Sequence, residues 1–165
     1  MNTLKDILVA TDFGEASSTA LLYGRDLARR FGARLHVIHV VDALVAHVGA
    51  AEGFISNLQE LQADDEAQAE QDLQTLLSAE DRQALRARTV VTTSSSPADA
   101  IVEYAKTERI GLIVVGTHGR RAMARLLVGS VAERVVRSAP CPVLTVRHPE
   151  HEFIVPDALQ VVAHA

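Results

Sequence analysis

The 165-residue chain has no tryptophan, one cysteine (Cys141) and two methionines, and aromatic residues make up only 4% of it. Each scarcity excludes something. A lone cysteine cannot close an intramolecular disulfide, so a disulfide scaffold is out and nothing calls for an oxidising compartment. Few aromatics offer no stacking platform for single-stranded nucleic acid, and the core must be built from Val, Leu, Ile and Ala. No apolar run reaches the roughly 18–20 residues needed to cross a bilayer. The start, Met1-Asn2-Thr3-Leu4-Lys5-Asp6, lacks the basic flank and apolar stretch of a secretory signal. A cytoplasmic protein with no membrane insertion is expected. Hydrophobic residues at 48% and charged residues at 22% are ordinary for a soluble globular domain, and the length suits one domain.

The net charge of −5 is unevenly spread. Residues 1–51 balance at five basic and five acidic, residues 52–81 carry nine acidic and no basic side chains, and residues 82–147 carry eleven basic against four acidic. The acidic block reads as a solvated helix face. The basic half suggests an anionic ligand rather than a nucleic-acid-binding chain.

Ile7-Leu8-Val9-Ala10 is a continuous apolar run typical of a strand buried on both faces. Ala16, Ala20, Gly24, Leu27, Ala28 and Phe31 follow at helical spacing, with Gly32 as a stop signal. Leu35 to Val41 reads as a second strand and 43–54 as a loop. Ile55, Leu58, Leu61, Ala69, Leu73, Leu76 and Leu77 mark a long amphipathic helix. Thr89 to Thr93 predicts a polar edge strand, and Ser96-Pro97 a helix start running to about Glu108. Leu112 to Val115 is a buried strand, residues 116–129 a glycine-punctuated connection, Ser130-Val131-Ala132-Glu133 a capping box opening a helix to about Arg137, and Pro142 to Val146 the last strand. Such alternation implies an α/β fold: a doubly wound five-stranded parallel sheet with helices on both faces. The domain is expected to span 1–147, with 148–165 as a tail.

In such sheets ligands bind beyond the carboxyl ends of the strands, where the strand order reverses. Two strand ends hold unusual residues: Asp12, and Gly116-Thr117-His118-Gly119. The spacing Gly116-x2-Gly119-x9-Gly129-Ser130 has the parts of a phosphate cradle. Glycines allow close backbone approach to an anion, a helix N-terminus favours phosphate, and Arg120, Arg121 and Arg125 add positive charge. It is neither a P-loop nor a dinucleotide fingerprint. The same glycines also suit plain turns, and Ser130 with Glu133 suits a simple cap. Asp12 with Glu15 fits a capping box as well as a ribose-binding carboxylate.

These residues resemble the universal stress protein (UspA) family. The resemblance rests on Ile7-Leu8-Val9-Ala10-Thr11-Asp12, Val114-Val115-Gly116-Thr117-His118-Gly119, the run Leu126 to Val136 with its Gly129-Ser130, and Ala139-Pro140-Cys141-Pro142-Val143-Leu144, and it covers residues 1–147. It implies strand order 3-2-1-4-5 and membership of the branch that binds ATP or another adenine nucleotide. It implies that Asp12 and Val41 contact the nucleoside, that Gly116, His118, Gly119, Gly129, Ser130 and Val131 surround ribose and phosphates, and that Ala10, Thr11, Val115 and Arg120 also belong to the nucleotide site. Mg²⁺ or Mn²⁺ is expected on the phosphates, and a homodimer through Val143, Leu144, Thr145 and Val146. The role would be sensing or regulation in the stress response. Two alternatives are an adenine-nucleotide hydrolase acting at the α-phosphate and an interaction dimer with a vestigial site. Two departures stand out: Gly14 where the family often has Ser, and Ala10 where several nucleotide binders have Pro.

No dedicated catalytic residue is indicated. His118 is the one obvious group to orient a water, which is compatible with slow ATPase activity. His36 and His39 are three apart on a strand, hence on opposite faces and poor metal partners. His148-x-x-His151 sits in the tail and lacks a preorganised second shell. Ser94-Ser95-Ser96 reads as strand end and cap rather than nucleophile. Cys141 reads as a buried structural thiol.

Overall fold

Ile7, Leu8 and Val9 are wholly buried, so the first strand has no solvent face and its apolar run is unbroken. A computed structural model of the chain describes residues 4–43, 55–117 and 130–147. Its elements are β1 (Asp6–Ala10), α1 (Glu15–Phe31), β2 (Arg34–Asp42), α2 (Ile55–Leu76), α3 (Ala79–Ala84), β3 (Arg88–Ser94), α4 (Pro97–Thr107), β4 (Leu112–Gly116), α5 (Ser130–Ser138) and β5 (Val143–Val146). All described strand pairings are parallel, in the order β3-β2-β1-β4-β5. Val9 lies opposite Val37 on one side and Val114 on the other.

Alternation along these strands builds two cores. Ile7, Val9, Leu35, Val37 and Val114 pack with Ala20, Leu21 and Ala28 of α1 and Leu73 of α2. Leu8, Ala10, Ile38, Ile113 and Val115 pack with Ala98, Ile101 and Ala105 of α4 and with Ala132 and Val135 of α5. Each fully buried Ile or Leu contributes about 1.5–3 kcal/mol by removal from water. Helix α1 comes so close to β1 that a Cβ on Gly24 would lie 2.3 Å from Val9 Cγ2. It stops at Gly32, which takes the left-handed conformation at φ 62°.

Several expectations need correction. Phe31 (56% exposed) and Leu61 (54%) are on the surface, because the buried stripe of α1 runs through Ala28 and that of α2 through Ala69 and Leu73, with Leu77 buried just past the helix end. Ser96 precedes Pro97 as expected, but its side chain makes no cap. The Ser96 N–H donates to Ser94 Oγ at 3.1 Å, closing a turn at the end of β3.

The short helix α3 was not expected. Its signal is Ser78-x-x-Asp81: Asp81 N–H donates to Ser78 Oγ at 3.0 Å, and Ser78 N–H to Asp81 Oδ2 at 3.4 Å, a reciprocal capping box. Asp81 is therefore not part of a solvated face. It is buried, 3.3 Å from Arg25 Nε and 2.9 Å from Arg29 Nη2, and so fastens α3 to α1.

Candidate functional site

The chain leaves β1 through α1 onto one face of the sheet, and returns to β4 from α4 on the other. The carboxyl ends of β1 and β4 therefore flank the point where strand order reverses. Ala10 and Val115 are register partners there, both buried, and β4 ends one residue later at Gly116. β2 continues past the end of β1 to Asp42, which puts Val41, also buried, beyond Ile38, the partner of Ala10. Ser130 is the exposed first residue of α5, and Val131 packs against the core under that helix. His118, Gly119, Arg120 and Gly129 lie outside the described residues, as do Arg121 and Arg125.

The segment from Thr11 to Ser17 is held by a closed set of hydrogen bonds. Thr11 N–H donates to Ile38 O at 2.9 Å, prolonging the ladder by one rung. Phe13 N–H donates to Thr11 Oγ1 at 3.0 Å, Asp12 N–H to Ser17 Oγ at 3.4 Å, and Ser17 Oγ–H to Gly14 O at 3.0 Å. The Thr11 and Ser17 hydroxyls are 3.2 Å apart. Phe13 is left at φ 61°, a left-handed conformation that costs a bulky residue about 1–3 kcal/mol. Such strain persists only where the surroundings over-determine it.

Asp12 does not cap α1 through a capping box with Glu15. The N-cap position falls on Gly14, and the Asp12 carboxylate, two residues too early, closes a turn by accepting the Gly14 N–H at 3.0 Å. A Cβ on Gly14 would lie 3.0 Å from that same Oδ1. The departure from Ser at this position thus makes room for the carboxylate. Asp12 stands half-buried at the carboxyl end of β1, held by its own turn.

Gly116 has a reason the sequence did not disclose. A Cβ there would lie 2.7 Å from the carbonyl carbon of Ala16 and 2.9 Å from Ser17 N. The first turn of α1 fills the space that a side chain would need, so packing alone demands glycine here. Thr117 follows, buried, its N–H donating to Val146 O at 2.8 Å.

The two β2 histidines do turn to opposite faces. His36 is fully buried on the α4 side, with Nδ1 2.8 Å from Tyr104 Oη and Nε2 3.2 Å from Asp6 Oδ1. Burial holds its pKa below the usual histidine value, the Asp6 contact opposing the shift. His39 takes the other side, Nδ1 2.8 Å from Thr11 O, its ring centroid 4.4 Å from that of Phe13. Sequence reasoning missed Phe13, Ser17 and His39 as parts of the site. Ser17 was the accessible signal, a hydroxyl beside the apolar stripe of α1. Cys141 is half-buried, and burial pushes its thiol pKa up against a backbone hydrogen bond at Ile113, so it is not an activated nucleophile.

Fold and strand ends define a doubly wound α/β protein whose strand order reverses between β1 and β4. No helix among the described residues is long and apolar enough to cross a membrane. The universal stress protein family matches residues 3–147. Universal stress protein MJ0531 of Methanocaldococcus jannaschii is 34% identical over 151 residues, covering 92% of this chain and 86% of that one. A universal stress protein of Thermus aquaticus is 34% identical over 145 residues, covering 87% and 98%. Among solved structures, UspA from Lactobacillus plantarum aligns with a TM-score of 0.75 at 29% identity, covering 89% of this chain and 100% of that one. Two more distant structures share the fold. One universal stress protein is in complex with cAMP (TM-score 0.56, 22% identity, covering 88% and 98%), and one from Archaeoglobus fulgidus with dAMP (0.55, 20%, 88% and 99%). The chain belongs to the universal stress protein family.

Proposed function

We propose that this universal stress protein binds an adenine nucleotide, ATP or its di- or monophosphate, at the β1–β4 switch point, in a sensing or regulatory role. The observation that carries the reading is Asp12: a carboxylate fixed by its own turn at the carboxyl end of β1, where a sheet of this order opens its crevice. A carboxylate there suits ribose hydroxyls, and the N-terminus of α5 suits phosphate. The complexes of two relatives with cAMP and dAMP support the choice of adenine.

In this reading Ala10, Thr11, Asp12, Val41 and Val115 line the nucleoside side. Gly116, His118, Gly119, Arg120, Gly129, Ser130 and Val131 surround ribose and phosphates, as in the branch of the family with the Gly-x2-Gly-x9-Gly-Ser spacing. The nucleotide supplies the phosphates that bring Mg²⁺ or Mn²⁺. No group of three or more His, Cys, Asp or Glu side chains is assembled for a metal among the described residues. The domain ends at Arg147, residues 148–165 form a tail, and the protein works in the cytoplasm.

The test is to release the small molecules that copurify with the native protein by heat and identify them by mass spectrometry. An adenine nucleotide is expected. An empty protein that also fails to take up ATP favours the interaction dimer, and rapid release of AMP from ATP favours the hydrolase.

A homodimer through β5 belongs to the same proposal. Val143-Leu144-Thr145-Val146 is a sheet edge without Lys or Glu, and pairing two copies across a two-fold axis hides both edges. Sedimentation across a concentration series is expected to give twice the monomer mass, and Leu144→Lys to lower it. If the intact protein is a monomer and truncation after Arg147 makes it associate, the tail covers the edge and pairing is wrong.

A further inference from the structure

We propose that His39 is the positioning residue for nucleotide binding: its ring fixes the backbone that carries Asp12, and thereby sets affinity for the nucleoside. This rests on the adenine-nucleotide reading and extends it to a residue outside the glycine motif. β1 pairs with β2 only as far as Ala10 opposite Ile38, and Thr11 N–H still reaches Ile38 O at 2.9 Å. The carbonyl of that same residue, Thr11 O, receives the His39 ring Nδ1–H at 2.8 Å. A side chain from the longer strand thus grips the shorter one immediately before Asp12.

The same ring holds the residue immediately after Asp12. Phe13 stacks on His39 with centroids 4.4 Å apart and planes tilted by 37°. Phe13 is also the residue in the left-handed conformation at φ 61°. Asp12 therefore lies between two residues that His39 touches, one through a hydrogen bond and one through its face. The ring is half-buried, which keeps the hydrogen bond partly shielded from competing water.

Two substitutions separate the hydrogen bond from bulk. In His39→Asn the side-chain amide nitrogen takes the place of Nδ1 and can still donate to Thr11 O. In His39→Gln the donor moves one bond farther out, and the bond is lost. ATP with Mg²⁺ is titrated into the intact protein by calorimetry, and adenosine in parallel, while the Gly14 amide resonance reports the turn made by Asp12. His39→Gln is expected to weaken ATP and adenosine alike, by about tenfold, and to shift the Gly14 resonance. His39→Asn, which keeps the hydrogen bond but not the stack, is expected to recover part of both readouts and to bind more tightly than His39→Gln. A third variant, Phe13→Gly, removes the stack while relieving the backbone, and is expected to weaken binding without unfolding.

Wild-type affinity in both His39 variants would overturn the positioning role and leave the nucleotide reading standing. Weakened binding with an unmoved Gly14 resonance, or equal loss in Asn and Gln, also overturns it, since the ring would then act by direct contact. A wild-type protein that binds neither ATP nor adenosine brings down the nucleotide reading itself, and this inference with it.

Discussion

At the amino-terminal end of the sheet His36 sits between Asp6 and Tyr104; three residues along the same strand, His39 sits between Thr11 and Phe13. In the first cluster side chains satisfy one another. With a proton on Nε2 facing Asp6, Nδ1 accepts the Tyr104 hydroxyl, and a neutral imidazole uses both nitrogens. Arg34 Nε, 3.4 Å from the same Asp6 oxygen, completes the pairing. At the other end the polar side chains serve the backbone instead: Thr11, Asp12, Ser17 and His39 each bond to a main-chain group around one turn. Polar groups that pair off make a strut. Polar groups that hold main chain in a strained conformation make a site.

Three perturbations sharpen the contrast. The largest effect is expected at Gly116, where the sequence suggests a backbone kept bare for an anion and the structure shows one pressed against α1. Gly116→Ala should lower stability by about 3 kcal/mol, because the clash is with backbone that cannot step aside. Denaturant unfolding measures it. A fully stable variant that has lost ATP binding would return this glycine to the ligand.

The next is His36→Leu, which leaves the Asp6 carboxylate and the Tyr104 hydroxyl without their shared partner and should cost about 2 kcal/mol. Nucleotide binding, at the opposite end, should be unaffected. A change below about 0.5 kcal/mol, the ordinary range for a surface substitution, would mean that the strut is not one.

The smallest is the pH dependence that His36 imposes. Burial lowers its folded pKa; Asp6 on β1 opposes this, and Arg34 on β2 and Arg88 on β3 reinforce it. Tyr104 on α4 stays neutral, its pKa raised by burial and by Glu108. As pH falls through the unfolded value of about 6.5, the unfolded chain takes up the proton first, so stability declines until the folded value is passed. His36→Gln should flatten this slope between neutral and mildly acid pH. An unchanged slope assigns the titration to another group.

Much of the fold was legible in the sequence. Continuous apolar runs at Ile7–Ala10 and Leu112–Val115 have no other reading when helical spacing lies between them, and a polar Thr89–Thr93 belongs at an edge. Exposure was harder to read. Leu61 and Phe31 fit the helical period, yet the period identifies a stripe and not how far along the helix a neighbour extends. The site was legible only as strand ends. That Asp12 closes on Gly14 instead of capping α1, and that His39 reaches Thr11 O, depends on β2 outrunning β1, a register no local pattern encodes.

The central claim is that the switch-point end of the sheet is a nucleotide site and the opposite end is not. The most direct measurement is the melting temperature of the apo protein with and without ATP and Mg²⁺, alongside His36→Leu and an Asp12→Ala variant. At 100 times its dissociation constant a ligand adds about 2.7 kcal/mol, a rise of a few degrees for a domain of this size. The account predicts that rise in the wild type and in His36→Leu, and its loss in Asp12→Ala. No rise at millimolar ATP in the wild type, or an undiminished rise in Asp12→Ala, would contradict it.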